Sequence, residues 1–161
     1  AIYLAKIETK YWIEYICKRF ENTGKHISPE LAEEICRLVD NHSSYVQQLS
    51  WLLWIRTINT ATTEQLSYAL EDLLDQNNIL FQSETENLSA YQMNFLKAIV
   101  DGIHTQFSSK EVISKYNLGT SANIVRLKNA LLQKELIETN GKEIVLADPV
   151  FGVWFKKEML Y

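Results

Sequence analysis

The stretch SSKEVISKYNLGTSANIVRLKNALLQKELIETNGKEIVL, residues 108–146, decides the fold. Near its end two short β-prone runs, Leu136-Ile137-Glu138-Thr139 and Glu143-Ile144-Val145-Leu146, flank Asn140-Gly141. Asn-Gly tolerates the positive φ angles of a tight type I′ hairpin turn. Ahead of this hairpin, Ser121 to Lys134 sets Ile124, Leu127 and Leu131 at helical spacing, with Thr120 or Ser121 placed to cap the first free amides. Before that, Ser108-Ser109 precede a short helix, Lys110 to Tyr116, which Asn117-Leu118-Gly119 ends, the glycine suiting a left-handed turn. Further upstream, Ser89 to Val100 forms a helix with Tyr91, Phe95, Leu96 and Ile99 facing inward. The order predicts a helix-turn-helix followed by a two-stranded wing.

Outward from this stretch the chain reads as helix nearly throughout. Leu4, Ile7, Trp12, Ile13, Tyr15, Ile16 and Phe20 define a helix from about Leu4 to Asn22 with a broad apolar face, broken by Thr23-Gly24. Ser28 as cap and Pro29 at the first helical position open a second, Glu30 to Asp40, burying Leu31, Ile35 and Leu38. After Asn41-His42-Ser43-Ser44, a third helix from Tyr45 to Ile58 is apolar almost all round, as expected of a helix central in a bundle or lying under another domain. Thr62-Thr63 begins a fourth, Glu64 to about Phe81, with Leu66, Tyr68, Ala69, Leu73 and Leu74 inward.

Composition narrows the class. With 161 residues, 47% hydrophobic, the chain can bury one sizeable core or two small ones. No apolar run approaches the roughly 20 residues of a membrane span and no secretory signal is present, which together point to the cytoplasm. The start at Ala1, without methionine, suggests processing or excision from a longer protein. Cys17 and Cys36 have no CxxC and no histidine at ligand spacing, so they read as buried structural thiols and no metal site is expected. His26, His42 and His104 are scattered between helices with no nucleophile beside them. Charge is uneven: residues 1–87 hold seven Lys/Arg against thirteen Asp/Glu, net −6, and residues 88–161 hold nine against seven, net +2. A nucleic-acid domain usually shows a stronger basic excess.

Several runs together resemble the region after the nucleotide-binding core in archaeal-type P-loop ATPases, relatives of the AAA+ and STAND groups also common in bacteria. They are Trp12-Ile13-Glu14-Tyr15-Ile16 with Arg19-Phe20, the run Asn41 to Ser50, Leu88 with Phe95-Leu96-Lys97-Ala98-Ile99, Tyr116-Asn117-Leu118-Gly119-Thr120, and Asp148-Pro149-Val150-Phe151 with Trp154. The resemblance covers essentially the whole chain. It implies a mainly α fold, a helical-bundle lid subdomain over residues 1–86 followed by a winged helix-turn-helix domain with a short β-hairpin wing over 87–161. In such ATPases the lid closes over bound nucleotide and the winged helix relays the closure to a protein, to DNA or to another subunit. The resemblance also implies a nucleotide-binding domain preceding this chain, with ATP and Mg²⁺ as its ligands.

This chain has no GxxxxGK[ST] phosphate cradle and no strand ending in paired acidic residues for magnesium, so no catalytic residue is expected in it. Related lids place a Gly-x-Pro or His-Pro step near the nucleotide base before the third helix. Here Asn41-His42-Ser43-Ser44 stands there without the proline. His42 and Tyr45 are the residues that position assigns to the adenine side; capping of the third helix by Ser43 or Ser44 is the competing explanation.

On the winged helix, a DNA reader would present Ser121, Asn123, Arg126 and Asn129 to base edges, with Lys128 and the wing residue Lys142 toward phosphates. Acidic Glu135, Glu138 and Glu143 around the wing favour a protein contact instead. Most of the four tryptophans are expected in the core; if the chain was cut from a longer one, Trp51 or Trp54 faced the missing nucleotide domain and now forms an exposed patch prone to self-association. Three functions remain open: a non-catalytic regulatory module of a P-loop ATPase, coupling nucleotide state to a protein or DNA partner; a free-standing winged-helix DNA-binding transcription regulator; and a protein-interaction adaptor. Sequence-specific DNA binding by a two-fold dimer marks the second, and inertness of the isolated chain marks the first.

Overall fold

The computed structural model describes residues 6–159. Helices α1 (Thr9–Asn22), α2 (Pro29–Leu38), α3 (Ser43–Arg56) and α4 (Thr63–Glu86) come first. Then follow α5 (Ala90–Val100), α6 (Lys110–Tyr116), α7 (Ser121–Gln133), the strands β1 (Ile137–Asn140) and β2 (Glu143–Leu146), and α8 (Pro149–Met159). The architecture is mainly helical with one antiparallel hairpin, the arrangement of a winged helix in its second half. One compact unit ends at Asn77 and the other begins at Asn78. The division therefore falls inside α4, whereas the sequence reading sets it at residue 86, where that helix ends.

In the first unit, α1 buries Trp12, Ile16 and Phe20 at four-residue intervals. Its apolar face is narrower than expected, because Ile7 and Tyr15 are exposed, and it begins at Thr9; Leu4 lies outside the described residues. The reason lies just before the helix, where the Lys6 ammonium donates to the Asp40 carboxylate and carbonyl, each at 2.8 Å, and residues 6–8 stay non-helical. Ser28 caps α2, its Oγ accepting from the Leu31 amide at 3.1 Å, with Pro29 next as expected. Val39 rather than Leu38 enters the core. Helix α3 starts two residues before the expected Tyr45 and ends at Arg56, burying Val46, Leu49, Leu52 and Leu53. It is not buried all round, since Trp51 and Ile55 are exposed. Helix α4 opens on a reciprocal pair, the Thr62 hydroxyl accepting from the Gln65 amide and the Gln65 side chain from the Thr62 amide. Tyr68, expected inward, is exposed and lies under the Arg56 guanidinium. The loops before α2 and α4 are joined at His26, whose amide donates to Asn59 and whose carbonyl accepts from Ala61 at 2.8 Å each.

The second unit begins with the last part of α4, which runs five residues beyond the expected Phe81 because Phe81 and Thr85, one turn apart, are both buried. Phe81 packs against Phe151 at 5.4 Å and Trp154 at 5.5 Å between ring centroids, and the Trp154 indole donates to the Asn78 side chain at 2.8 Å. Helix α8, an element beyond the sequence reading, presents these rings. The Asp148 carboxylate caps it by accepting from the Val150 and Phe151 amides, and Val150, Phe151, Trp154 and Phe155 turn inward.

The wing pairs Asn140 with Glu143, so the two loop residues are Gly141 and Lys142 rather than Asn140 and Gly141. Among them only Gly141 has positive φ, 64°. One positive φ at the first central position is the pattern of a type II′ turn, not the expected type I′. His104 ties the wing down: its carbonyl accepts from the Ile144 amide at 2.8 Å and its Nδ1–H donates to the Ile144 carbonyl at 3.0 Å.

Phe81→Ala should destabilise the second unit by about 3–5 kcal/mol, measured as a lower denaturant midpoint in a fragment of residues 78–161, where Trp154 is the one tryptophan and its fluorescence reports this unit. A fragment of residues 78–161 should unfold cooperatively, and one of 87–161, lacking Asn78, Phe81 and Thr85, should melt at clearly lower temperature; equal melting would show that α4 adds nothing to this core.

Candidate functional site

Two places collect the residues expected to carry function. The first is the turn between α2 and α3. Asp40 and Asn41 take consecutive left-handed conformations, φ 48° and 54°, which cost about 1 kcal/mol or more each outside glycine. Aspartate and asparagine bear this best. The strain is held by tethers: Asp40 to Lys6, and the Asn41 side-chain amide to the Thr9 hydroxyl at 2.9 Å. His42 then occupies the cap position of α3 with no side-chain capping bond. Ser43 and Ser44 lie inside the first turn, so neither is the cap that the competing explanation requires. The His42 and Tyr45 rings meet at 4.8 Å, tilted by 43°. Two buried polar atoms here, Asn41 Oδ1 and His42 Nδ1, have no hydrogen-bond partner among the described residues.

The second place is α7 with the wing. Ser121, Arg126 and Asn129 are exposed, as is Lys142 on the wing. Asn123 and Lys128 are half-buried. Asn123 is occupied within the turn: its Nδ2 donates to the Leu118 carbonyl at 3.3 Å and its Oδ1 accepts from Arg126 at 3.0 Å. The turn it braces contains Asn117 at φ 53° and Gly119 at φ 89°; a Cβ on Gly119 would stand 3.2 Å from Asn123 Nδ2 and 3.4 Å from the Tyr91 ring. Asn94 donates to the Asn117 carbonyl at 3.1 Å, closing the turn from α5. Between the exposed polar residues of α7 stands Val125, 64% exposed, next to exposed Ala122. Nothing in a helical period marks Val125 as unusual, because one apolar residue off the core stripe is common.

Burial raises the Cys36 pKa to about 11 and also raises that of Cys17, so both stay protonated and weakly nucleophilic at neutral pH. Cys36 is fully buried and Cys17 half-buried, its thiol directed at the Ile27 carbonyl. Among the described residues no group of three His, Cys, Asp or Glu is placed to hold a metal ion, and no helix is long and apolar enough to cross a membrane. Glu84 has its pKa raised by burial and, secondarily, by Asp148.

Residues 79–157 match the family described as a probable winged helix domain. The match begins within α4, one residue after the second unit starts. Among solved structures the chain is similar to a Walker-type ATPase of Pyrococcus abyssi, with a TM-score of 0.69 and 18% identity over 94% of this chain. The chain spans 42% of the length of that structure. At this identity the likeness is one of fold. No curated protein matches the chain.

Asn123→Ala should cost about 1 kcal/mol through the lost turn bonds, lowering the melting temperature by several degrees. Unchanged stability would free Asn123 for a role as a base reader. Gly119→Ala should destabilise further, since alanine at positive φ adds backbone strain to the close approach of Asn123 and Tyr91.

Proposed function

We propose that this chain is a non-catalytic regulatory module of a cytoplasmic P-loop ATPase, which couples the nucleotide state of a preceding domain to a protein partner. ATP and Mg²⁺ would be held by that preceding domain, since this chain has neither a phosphate cradle nor a magnesium-binding acidic pair. The fold likeness to a Walker-type ATPase over 94% of the chain supports membership of such a protein. The choice of a protein partner rests on one observation: the exposed face of α7 centres on Val125 and carries one arginine, with acidic residues on and beside the wing. Phosphate neutralisation supplies most non-specific affinity for DNA, and a single arginine with Lys142 gives little of it. An apolar centre with polar surroundings is the pattern of a protein contact.

The α2–α3 turn is the nucleotide-facing end in this reading. His42 and Tyr45, half-buried and in ring contact, stand at the start of a helix that has no side-chain cap, and the reading places an adenine base against them. In the longer protein His42→Ala should weaken ATP binding by about 1 kcal/mol, roughly fivefold, without changing the fold. An unaltered affinity would remove His42 from the nucleotide side.

DNA recognition is the second reading, favoured by Ser121, Arg126 and Asn129 standing together on α7 with Lys142 on the wing. Duplex titrations across a salt series decide between them. The protein-partner reading expects affinities no tighter than the non-specific range of roughly 10⁻⁴–10⁻⁶ M at physiological salt, hardly altered by Arg126→Ala. A nanomolar complex with one defined sequence, lost in Arg126→Ala, would establish DNA recognition instead.

A further inference from the structure

Within the first unit, α1 and α3 leave between them a groove of about 350 Å³ lined by aromatic rings. From α1 come Tyr15, Arg19 and Phe20; from α3 come Gln47, Trp51 and Trp54, spaced as one helical stripe. Trp51 is 58% exposed, an unusual exposure for the largest apolar side chain.

The walls are already fixed. The Trp54 indole donates to the Thr23 hydroxyl at 2.8 Å, and the Lys25 ammonium sits 3.9 Å from the Trp54 ring centre while donating to the Trp54 carbonyl. Arg19 donates to the Tyr15 hydroxyl at 2.8 Å, and Tyr15 stands edge-on to Trp12 at 5.7 Å. With their polar handles satisfied internally, these rings present apolar faces at little further entropy loss on binding. Trp, Tyr and Arg are also the side chains that concentrate binding energy in protein interfaces.

Charge says what kind of surface fits. Residues 1–87 are net −6, and Lys6, Lys10, Arg37 and Arg56 each pair with a carboxylate. Arg19, the one cation lining the groove, lies on the Tyr15 ring without a carboxylate partner among the described residues, and no carboxylate lines the groove. An approaching acidic group meets a cation here that no carboxylate among the described residues neutralises.

We infer that the α1–α3 groove is a docking site for a helical segment of a partner protein whose apolar stripe is flanked by Asp or Glu. The stripe from Gln47 to Trp54 is about 10 Å long at 1.5 Å per residue, enough for about two turns of a partner helix laid in the groove. This inference is independent of the α7 surface and of the nucleotide reading.

The test is selection of a helix-biased phage-display peptide library on the 161-residue chain, followed by titration of the enriched peptides against the chain and two variants. The selected peptides should carry apolar residues at i, i+3, i+4 and i+7 with acidic neighbours. Trp51→Ala should weaken them by about tenfold or more, at unchanged melting temperature because Trp51 is largely exposed. Arg19→Glu should weaken them similarly and recover binding when their acidic residues are changed to lysine. Peptides that bind Trp51→Ala as well as the parent, a pool enriched in basic residues, or a library yielding no saturable binder would each overturn the inference. So would a concentration-dependent dimer in sedimentation that Trp51→Ala abolishes, which would make a second copy of the chain the occupant.

Discussion

Phe81 is the residue on which the second unit turns. It belongs by helix continuity to α4, whose earlier residues Leu66, Ala69, Leu73 and Leu74 are buried in the first unit, yet its ring is buried against Phe151 and Trp154 of α8. A helix-turn-helix of three short helices and a hairpin is a small unit with little apolar surface to bury. Three aromatic rings brought in by elements outside the trihelical stretch supply a large share of what it lacks. The same helix therefore ends one core and starts another.

The tryptophans differ in how their indole nitrogens are accommodated: Trp12 is buried with its nitrogen lacking a hydrogen-bond partner among the described residues. Trp154 is buried with its indole nitrogen bonded to Asn78, so its full ring area contributes to stability without an unmade hydrogen bond. Trp54 reaches the same satisfaction through Thr23, close to the surface, with the Lys25 ammonium over its ring. Trp51 makes neither compromise and stands in solvent. Similarly, Asn123 and Arg126 bond to each other within the turn, leaving Val125 to dominate the presented face of α7.

The α2–α3 turn shows the converse, a place where local rules are broken together. Two left-handed non-glycine residues, an uncapped helix start and two buried polar atoms lacking partners among the described residues occur within three positions. Each is costly, and such costs persist where surrounding contacts, here Lys6 and Thr9, over-determine the geometry.

Much of this fold was legible in the amino-acid sequence, because helix periodicity and caps are local properties. Ser28-Pro29, the Thr62–Gln65 pair, Ser89 before α5 and Ser109 before α6 signal their helices within four residues, and the element order around the wing follows from periods of 3.6 and 2. What the sequence left open was every choice that depends on a distant partner. The hairpin loop shifted by one residue because strand register answers to the packing of Ile137 and Ile144, not to the turn dipeptide alone. Helix α4 outran its expected end because Phe81 and Thr85 found a core there, and α8 formed where Asp148 could cap a run of rings. His104 looked incidental until its bonds to Ile144, forty residues on, came into view. The sequence by itself determined which segments are helices and that a wing follows them, since those signals lie within one turn of the chain. Only the tertiary structure decided which tryptophans are buried and which stand exposed, since equal apolar residues on one helix differ only in what the rest of the molecule places against them.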